Sequence, residues 1–278
     1  MEAFVESALG VSDTRVPGPL RILVLGVGGV GADVACGHAL AGHEVAVWDP
    51  EPDAVQRRVS AAFARAREIR SCSGADVEQA TARLRHVADG ASADCDVVVE
   101  DVAEDLELKG QLLGRAGETA AHALLVTCTS LLRVTDVGRA AGASHRTVGM
   151  RYARLIAHLP FVEVAPGERT APWCVEVARE LATATGWTPL VLGRDVRGSA
   201  SDRLQLALVR ECAFLVEQGV ISREGVDEVV REGLARRWRH VGPLRALVLG
   251  GFDTWNALVR NIAPELSNAS EIPSSVER

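Results

Sequence analysis

"LRILVLGVGGVGADVACGHALAGHEVAVWDP", residues 20–50, decides the fold. Residues 22–25 form an unbroken apolar run, the pattern of a parallel strand buried on both faces. A glycine turn leads into a helical stretch closed by Gly42, and "EVAVWD" reads as a second strand. The whole is a βαβ unit. Within it, Gly26, Val27, Gly28, Gly29, Val30 and Gly31 spell G-x-G-x-x-G directly after the first strand, and Asp49 ends the second strand eighteen residues beyond Gly31.

Each residue type has a physical task. Gly26 permits the tight turn, Gly28 lets backbone approach a pyrophosphate, and Gly31 lets the helix press on the sheet. Gly29 and Val30 open that helix, so their N–H groups face the anion. A carboxylate at Asp49 accepts the ribose hydroxyls of an adenosine and repels a 2′-phosphate, so the expected cofactor is NAD rather than NADP.

Working outward, residues 53–70 and 76–85 read as Arg-rich helix. "CDVVVED" (95–101) is a buried strand, a helix starts near Glu104, and "HALLVTCTS" and "RTVGM" are further strands. Alternating β and α elements predict an α/β fold: a Rossmann-type doubly wound, mostly parallel sheet. Beyond "PLVLGRDVRG" the strand signals stop. "DRLQLALVRECAFLVEQGV" carries apolar residues at helical spacing and ends at Gly219, and Ser222 caps the next helix. The expected organisation is an extension (1–19), an NAD-binding domain (20–196), a smaller all-α C-terminal domain (197–267) for substrate and dimerisation, and a disordered tail (268–278).

A net charge of −7 argues against nucleic acid as a partner. No apolar run is long enough to span a membrane and the first residues include Glu2 and Glu6, which points to a cytoplasmic protein. Six cysteines without a C-x-x-C pair signal neither a zinc site nor a disulfide framework, and no metal is expected. "RRWRH" (236–240) reads as a solvated helix end or subunit contact, and Trp187 as a surface or interface aromatic.

Taken in order, these segments resemble the 3-hydroxyacyl-CoA dehydrogenase family, and within it the L-gulonate 3-dehydrogenase (lambda-crystallin) branch. "VVVEDVAEDLELKGQLL" looks like the family's E-x-x-x-E-x-x-x-x-K signature, with Glu100, Glu104 and Lys109, the chain's only lysine. "FVEVAPGERTAP", "GLARRWRHVGPL" and "GFDT" resemble further segments of the branch or family. The resemblance implies that Glu104 and Lys109 lie near the nicotinamide end of the cofactor. It also implies a homodimer and a small-molecule acid or an acyl thioester, CoA-bound or carrier-bound, as substrate.

The family's reaction uses a histidine as general base, a glutamate that orients it, and a serine and an asparagine that hold the substrate oxygen. Ser130 in "TCTSLL" matches the serine, with Cys128 in place of a preceding asparagine, and Glu163 matches the glutamate. Arg151 stands where the histidine belongs. The segment H-x-x-N-P has become "RYARL", and "RGSASDRL" places Asp202 at the asparagine position. A guanidinium stays protonated and cannot act as a base. The two changes compensate in charge, so Arg151, Glu163 and Asp202 are expected to form a buried ionic cluster.

Three readings follow. The first is an NAD(H)-dependent oxidoreductase acting on a 3-hydroxy or 3-oxo acid or thioester with an altered active site, in which a water, Ser130 or His158 moves the proton. The second is a non-redox enzyme of a specialised biosynthetic pathway (isomerase, dehydratase or cyclase), and the third an inactive NAD-binding partner protein.

Overall fold

The computed structural model describes residues 18–70, 72–91, 94–152, 161–273 and 276. The chain divides into two compact units, 1–199 and 200–278.

The first unit is built on the βαβ unit. It begins with β1 (Arg21–Leu25), α1 (Gly29–Leu40) and β2 (Glu44–Trp48), followed by helices α2 (Pro52–Arg70) and α3 (Gly74–Ala82). Then come β3 (Leu84–His86), β4 (Val97–Glu100), α4 (Leu106–Thr119), β5 (Leu124–Thr127), α5 (Val134–Ala140) and β6 (Thr147–Tyr152). β7 (Phe161–Pro166), α6 (Pro172–Ala184) and β8 (Thr188–Val191) complete it. The eight strands lie in the order β3-β2-β1-β4-β5-β6-β7-β8. Every neighbouring pair is parallel except β6 and β7, which are antiparallel.

Successive residues of β1 face opposite sides of the sheet. Ile22 and Val24 join one apolar cluster with Val34, Phe63 and Leu181, while Leu23 and Leu25 join another with Leu113 and Val137. Both faces are covered by helices, which is why these strands read as continuous apolar runs. The strand order reverses between β1 and β4, and the crevice beyond their C-terminal ends is where such sheets bind ligands.

Two expectations need correction. The helical reading of 76–85 runs too far: α3 stops at Ala82, and Leu84–His86 pairs with β2 as the edge strand. Three residues are too few for period-2 alternation to register. Trp187 is not a surface aromatic. It is 2% exposed, with Tyr152 edge-on at 4.9 Å and His38 at 5.7 Å between ring centroids. A Cβ at Gly37 would stand 2.9 Å from the indole, so that glycine makes its room.

The second unit is helical: α7 (Ala200–Glu217), α8 (Arg223–Glu228), a π-helical stretch (Val229–Ala235), α9 (Arg236–His240), α10 (Pro243–Gly250) and α11 (Phe252–Ile262). Gly219 takes a φ of +69° just past α7, and the Gly225 amide donates to the Ser222 hydroxyl that caps α8. The basic run of α9 is exposed. Among the described residues no helix is long and apolar enough to cross a membrane.

Candidate active site

The glycine turn connects β1 to α1. Gly26, at φ +91°, could carry no side chain, because a Cβ there would stand 2.4 Å from the Asp101 carbonyl oxygen. At Gly31 a Cβ would meet the Gly26 carbonyl oxygen at 2.0 Å, which holds α1 hard against the turn. Around Gly28 and Gly29, by contrast, nothing lies within 4 Å of where a Cβ would be, and no side chain caps the helix at Gly28. A pyrophosphate requires such an open, side-chain-free helix end, with the Gly29 and Val30 amides at its first turn.

Asp49 follows β2. Its Oδ2 accepts the Val27 N–H at 2.7 Å, and its Oδ1 accepts the Glu51 N–H at 2.9 Å and an Arg58 N–H at 3.2 Å. The carboxylate thus ties the end of β2 to the glycine turn. Arg58, which the sequence reading did not single out, sits beside it with its side chain 32% exposed.

Glu100 and Lys109 form a buried ion pair at 2.7 Å, their side chains 0% and 1% exposed. The Thr127 hydroxyl donates to Glu100 Oε2 at 2.8 Å, the Val102 N–H donates to Oε1 at 2.7 Å, and Lys109 Nζ also donates to the Val102 carbonyl at 3.0 Å. Burial pushes the Glu100 carboxyl up, and Lys109 with these donors pulls it back. Lys109 Nζ is 4.0 Å from Glu104, so the lysine stands between the two signature glutamates.

Glu104 reaches the loop after β5. Its Oε1 accepts the Ser130 N–H at 2.7 Å and the Ser130 hydroxyl at 3.3 Å, and its Oε2 accepts the Thr129 hydroxyl at 2.5 Å. The Glu104 side chain is 28% exposed, so the carboxylate is both anchored and accessible. Cys128 is different. Burial, with Asp101 and Glu100 nearby, holds its thiol well above the usual range, so it offers no thiolate nucleophile at neutral pH.

Arg151 lies on β6 with Glu163 as its antiparallel partner on β7, which puts both side chains on one face. Arg151 is 3% and Glu163 1% exposed. Four guanidinium hydrogen bonds go to backbone carbonyls: Nε to Thr129 at 2.8 Å, Nη2 to Leu132 at 2.9 Å and Val196 at 3.2 Å, and Nη1 to Gly198 at 3.1 Å. The first two bracket the loop that carries Ser130. The Leu132 N–H closes that loop by donating to the Thr129 hydroxyl oxygen at 3.0 Å. Asp202 lies in the first turn of α7, in the second unit. Arg154, Leu155 and His158 lie outside the described residues.

One acidic residue in the crevice was not among the sequence candidates. Asp101, directly after β4, accepts the Gly31 N–H on Oδ2 at 2.6 Å. Its signal was present in the sequence as a second acid beside Glu100 at the end of a strand.

Residues 21–196 match the family described as 3-hydroxyacyl-CoA dehydrogenase, NAD binding domain. The chain is 29% identical over 260 residues to 5-formyl-3-hydroxy-2-methylpyridine 4-carboxylate 5-dehydrogenase of Mesorhizobium japonicum, covering 92% of this chain and 84% of the relative. To L-carnitine dehydrogenase of Streptomyces griseus it is 31% identical over 253 residues, covering 89% and 75%. A crystal structure of 5-formyl-3-hydroxy-2-methylpyridine 4-carboxylic acid 5-dehydrogenase, described as an NAD+-dependent dismutase, superposes with a TM-score of 0.79 at 28% identity, covering 91% of this chain and 83% of that one.

Proposed function

The chain belongs to the 3-hydroxyacyl-CoA dehydrogenase family, with an NAD-binding first unit, and from that premise we propose that it is an NAD(H)-dependent oxidoreductase acting on a small 3-hydroxy or 3-oxo carboxylic acid with an altered active site. A free acid is favoured over a thioester because the relatives above are named for a pyridine carboxylate and for L-carnitine. Within the family, the resemblance of "FVEVAPGERTAP" to a segment of the L-gulonate branch supports placing the chain near that branch.

The observation that carries this reading is the pairing of Ser130 with Glu104 beside an open dinucleotide turn. Bound NAD supplies hydride acceptance in one direction and donation in the other. Gly28, Gly29 and Val30 would hold its pyrophosphate and Asp49 its adenosine ribose, with Glu104 and Lys109 towards the nicotinamide. The chain's own residues handle the proton. Ser130 holds the substrate oxygen through its hydroxyl, and Glu104 takes the proton through that hydroxyl when alcohol is oxidised and returns it on reduction. Arg151 acts as a positioning residue, holding both ends of the serine loop by their carbonyls. Glu163, its antiparallel partner on β7, lies on the same face of the sheet and balances its charge.

The partner of the second unit would be another copy of the chain. Leu244, Val248, Leu249 and Phe252 are 77%, 73%, 70% and 63% exposed, more apolar surface than a soluble monomer normally leaves to water.

The test is a fluorescence titration with NADH and NADPH, then a screen of free 3-hydroxy acids and their CoA esters for NAD+ reduction. Saturable NADH binding with turnover of a free acid is the expected result; turnover of thioesters alone would reject the free-acid reading. The hydrogen bonds of Arg151 to four backbone carbonyls, from a guanidinium that cannot act as a base, favour a second reading: a non-redox enzyme or NAD-binding partner. Tight NADH binding without turnover of any 3-hydroxy or 3-oxo substrate would establish it.

A further inference from the structure

We propose that Asp101 is a member of the dinucleotide site that carries a proton whenever the cofactor is bound, so that NAD(H) binding at alkaline pH takes up a proton from solution. The inference rests on the NAD reading of the glycine turn and adds to it a residue that the motif does not contain.

The geometry begins with α1. A helix leaves its first N–H groups without intrahelical partners, and these, with the helix dipole, attract an anion. Here Ala32 N–H already reaches the Gly28 carbonyl at 3.1 Å, no side chain caps the helix from Gly28, and its first turn contains no acid. The negative group that does reach this helix end comes from another strand. Asp101 N–H donates to the Leu25 carbonyl at 2.7 Å, which fixes the residue against the glycine turn, and its Oδ2 takes the Gly31 N–H at 2.6 Å. A dinucleotide pyrophosphate seated on this helix end would share it with a carboxylate.

In a site of low dielectric two anions sharing one helix end repel strongly. A proton on Asp101 removes the conflict and adds a bond: Oδ2 keeps the Gly31 N–H, while the protonated oxygen can donate to a phosphate oxygen. The surroundings make that proton accessible. Glu100 on β4 and Glu104 beyond it add negative charge, and the one nearby cation among the described residues, Lys109 on α4, is already engaged by Glu100 and the Val102 carbonyl. The remaining titratable neighbours among the described residues, Cys128 after β5 and Tyr152 on β6, are held above their usual ranges by burial and stay neutral. Burial first, and then the two glutamates, push the Asp101 carboxyl up to about 7.

The test uses the full chain and NADH. Isothermal titration at pH 8 in two buffers of different ionisation enthalpy, HEPES and Tris, counts protons exchanged on binding. Fluorescence titrations from pH 6 to 9 follow Kd for the wild type and for Asp101→Asn, whose amide keeps an acceptor for Gly31 and offers a permanent donor. For the wild type we expect an uptake approaching one proton at pH 8, and a Kd that weakens by up to about tenfold per pH unit above pH 7. For Asp101→Asn we expect no uptake, a flat profile and, at pH 9, binding at least about tenfold tighter than the wild type. A wild type that binds NADH without proton uptake and with a flat profile overturns the proposal and leaves the dinucleotide site standing, and uptake that persists in Asp101→Asn overturns it as well. Failure of the wild type to bind NADH at any pH removes the NAD reading itself. Should the variant not fold, the proton count on the wild type decides alone.

Discussion

Glu104 and Ser130 meet across the ends of β4 and β5, where one carboxylate oxygen accepts both the amide and the hydroxyl of the serine, at 2.7 and 3.3 Å. The amide bond fixes the serine in place, and the hydroxyl bond provides a route for a proton. In the proposed function this pair is where proton transfer is placed, because a guanidinium such as that of Arg151 cannot act as a base.

Glu104→Gln keeps the acceptor for the Ser130 amide and removes the base. Steady-state kinetics on the substrate found by screening should show kcat reduced by about 10²–10⁴-fold, with NADH affinity within about threefold of the wild type. An unchanged kcat would move the proton route elsewhere.

Asp49→Ala should weaken NADH binding by about ten- to a hundredfold, because charge-assisted hydrogen bonds to the ribose are lost. It should also narrow the preference for NADH over NADPH, since the carboxylate no longer repels a 2′-phosphate while Arg58 remains beside it. Paired fluorescence titrations measure both effects, and equal NADH binding in the two proteins would contradict them.

Lys109→Met strands Glu100, a fully buried carboxylate, without its cation. Chemical denaturation should report a loss of about 3–5 kcal/mol, most of it recovered in the double variant with Glu100→Gln. Additive losses in the double variant would mean that the two residues do not act as a pair.

Arg151→Met leaves the carbonyls of Thr129, Leu132, Val196 and Gly198 short of four donors. A destabilisation of about 3–5 kcal/mol is expected, less if water enters. Arg151→His would suffer most of the same loss. Joined with Asp202→Asn it is therefore expected to lower Tm even if it introduces a base, and thermal scans alongside the dehydrogenase assay separate the two effects.

His38 should make the protein acid-sensitive. It is fully buried, neither ring nitrogen has a hydrogen-bond partner among the described residues, and burial with His43 nearby lowers its pKa from 6.5 to about 3. Between those values the unfolded chain binds the proton and the folded chain does not, so stability falls as pH drops below 6.5. Asp101 acts in the opposite sense: raised from 3.8 to about 7, it favours folding below 3.8, and that contribution is lost as pH rises through 7. His38→Leu should flatten the decline of Tm between pH 6.5 and 4, and an unaltered decline would assign acid sensitivity to other groups.

The sequence by itself determined the βαβ unit, the mostly parallel sheet, the helical second half and the dinucleotide turn with Asp49. All of these are written in short-range terms. A buried parallel strand must be apolar on both faces, a helix must repeat its apolar face, and a glycine is required where a Cβ would strike the neighbouring carbonyl. The resemblance to the family's signature linked Glu100, Glu104 and Lys109, which share one strand end and the helix after it.

The tertiary structure decided which partners those residues meet. Arg151 was legible as a charge that needed compensation, but its bonds reach carbonyls up to 47 positions away, and backbone carbonyls leave no mark in a sequence. Asp101 meets Gly31 across 70 positions because β4 lies beside β1. Trp187 is buried because Gly37, far from it in sequence, leaves a space of the right size. Local periodicity specifies which face of an element is buried, but only the crossing of the chain specifies what that face is buried against.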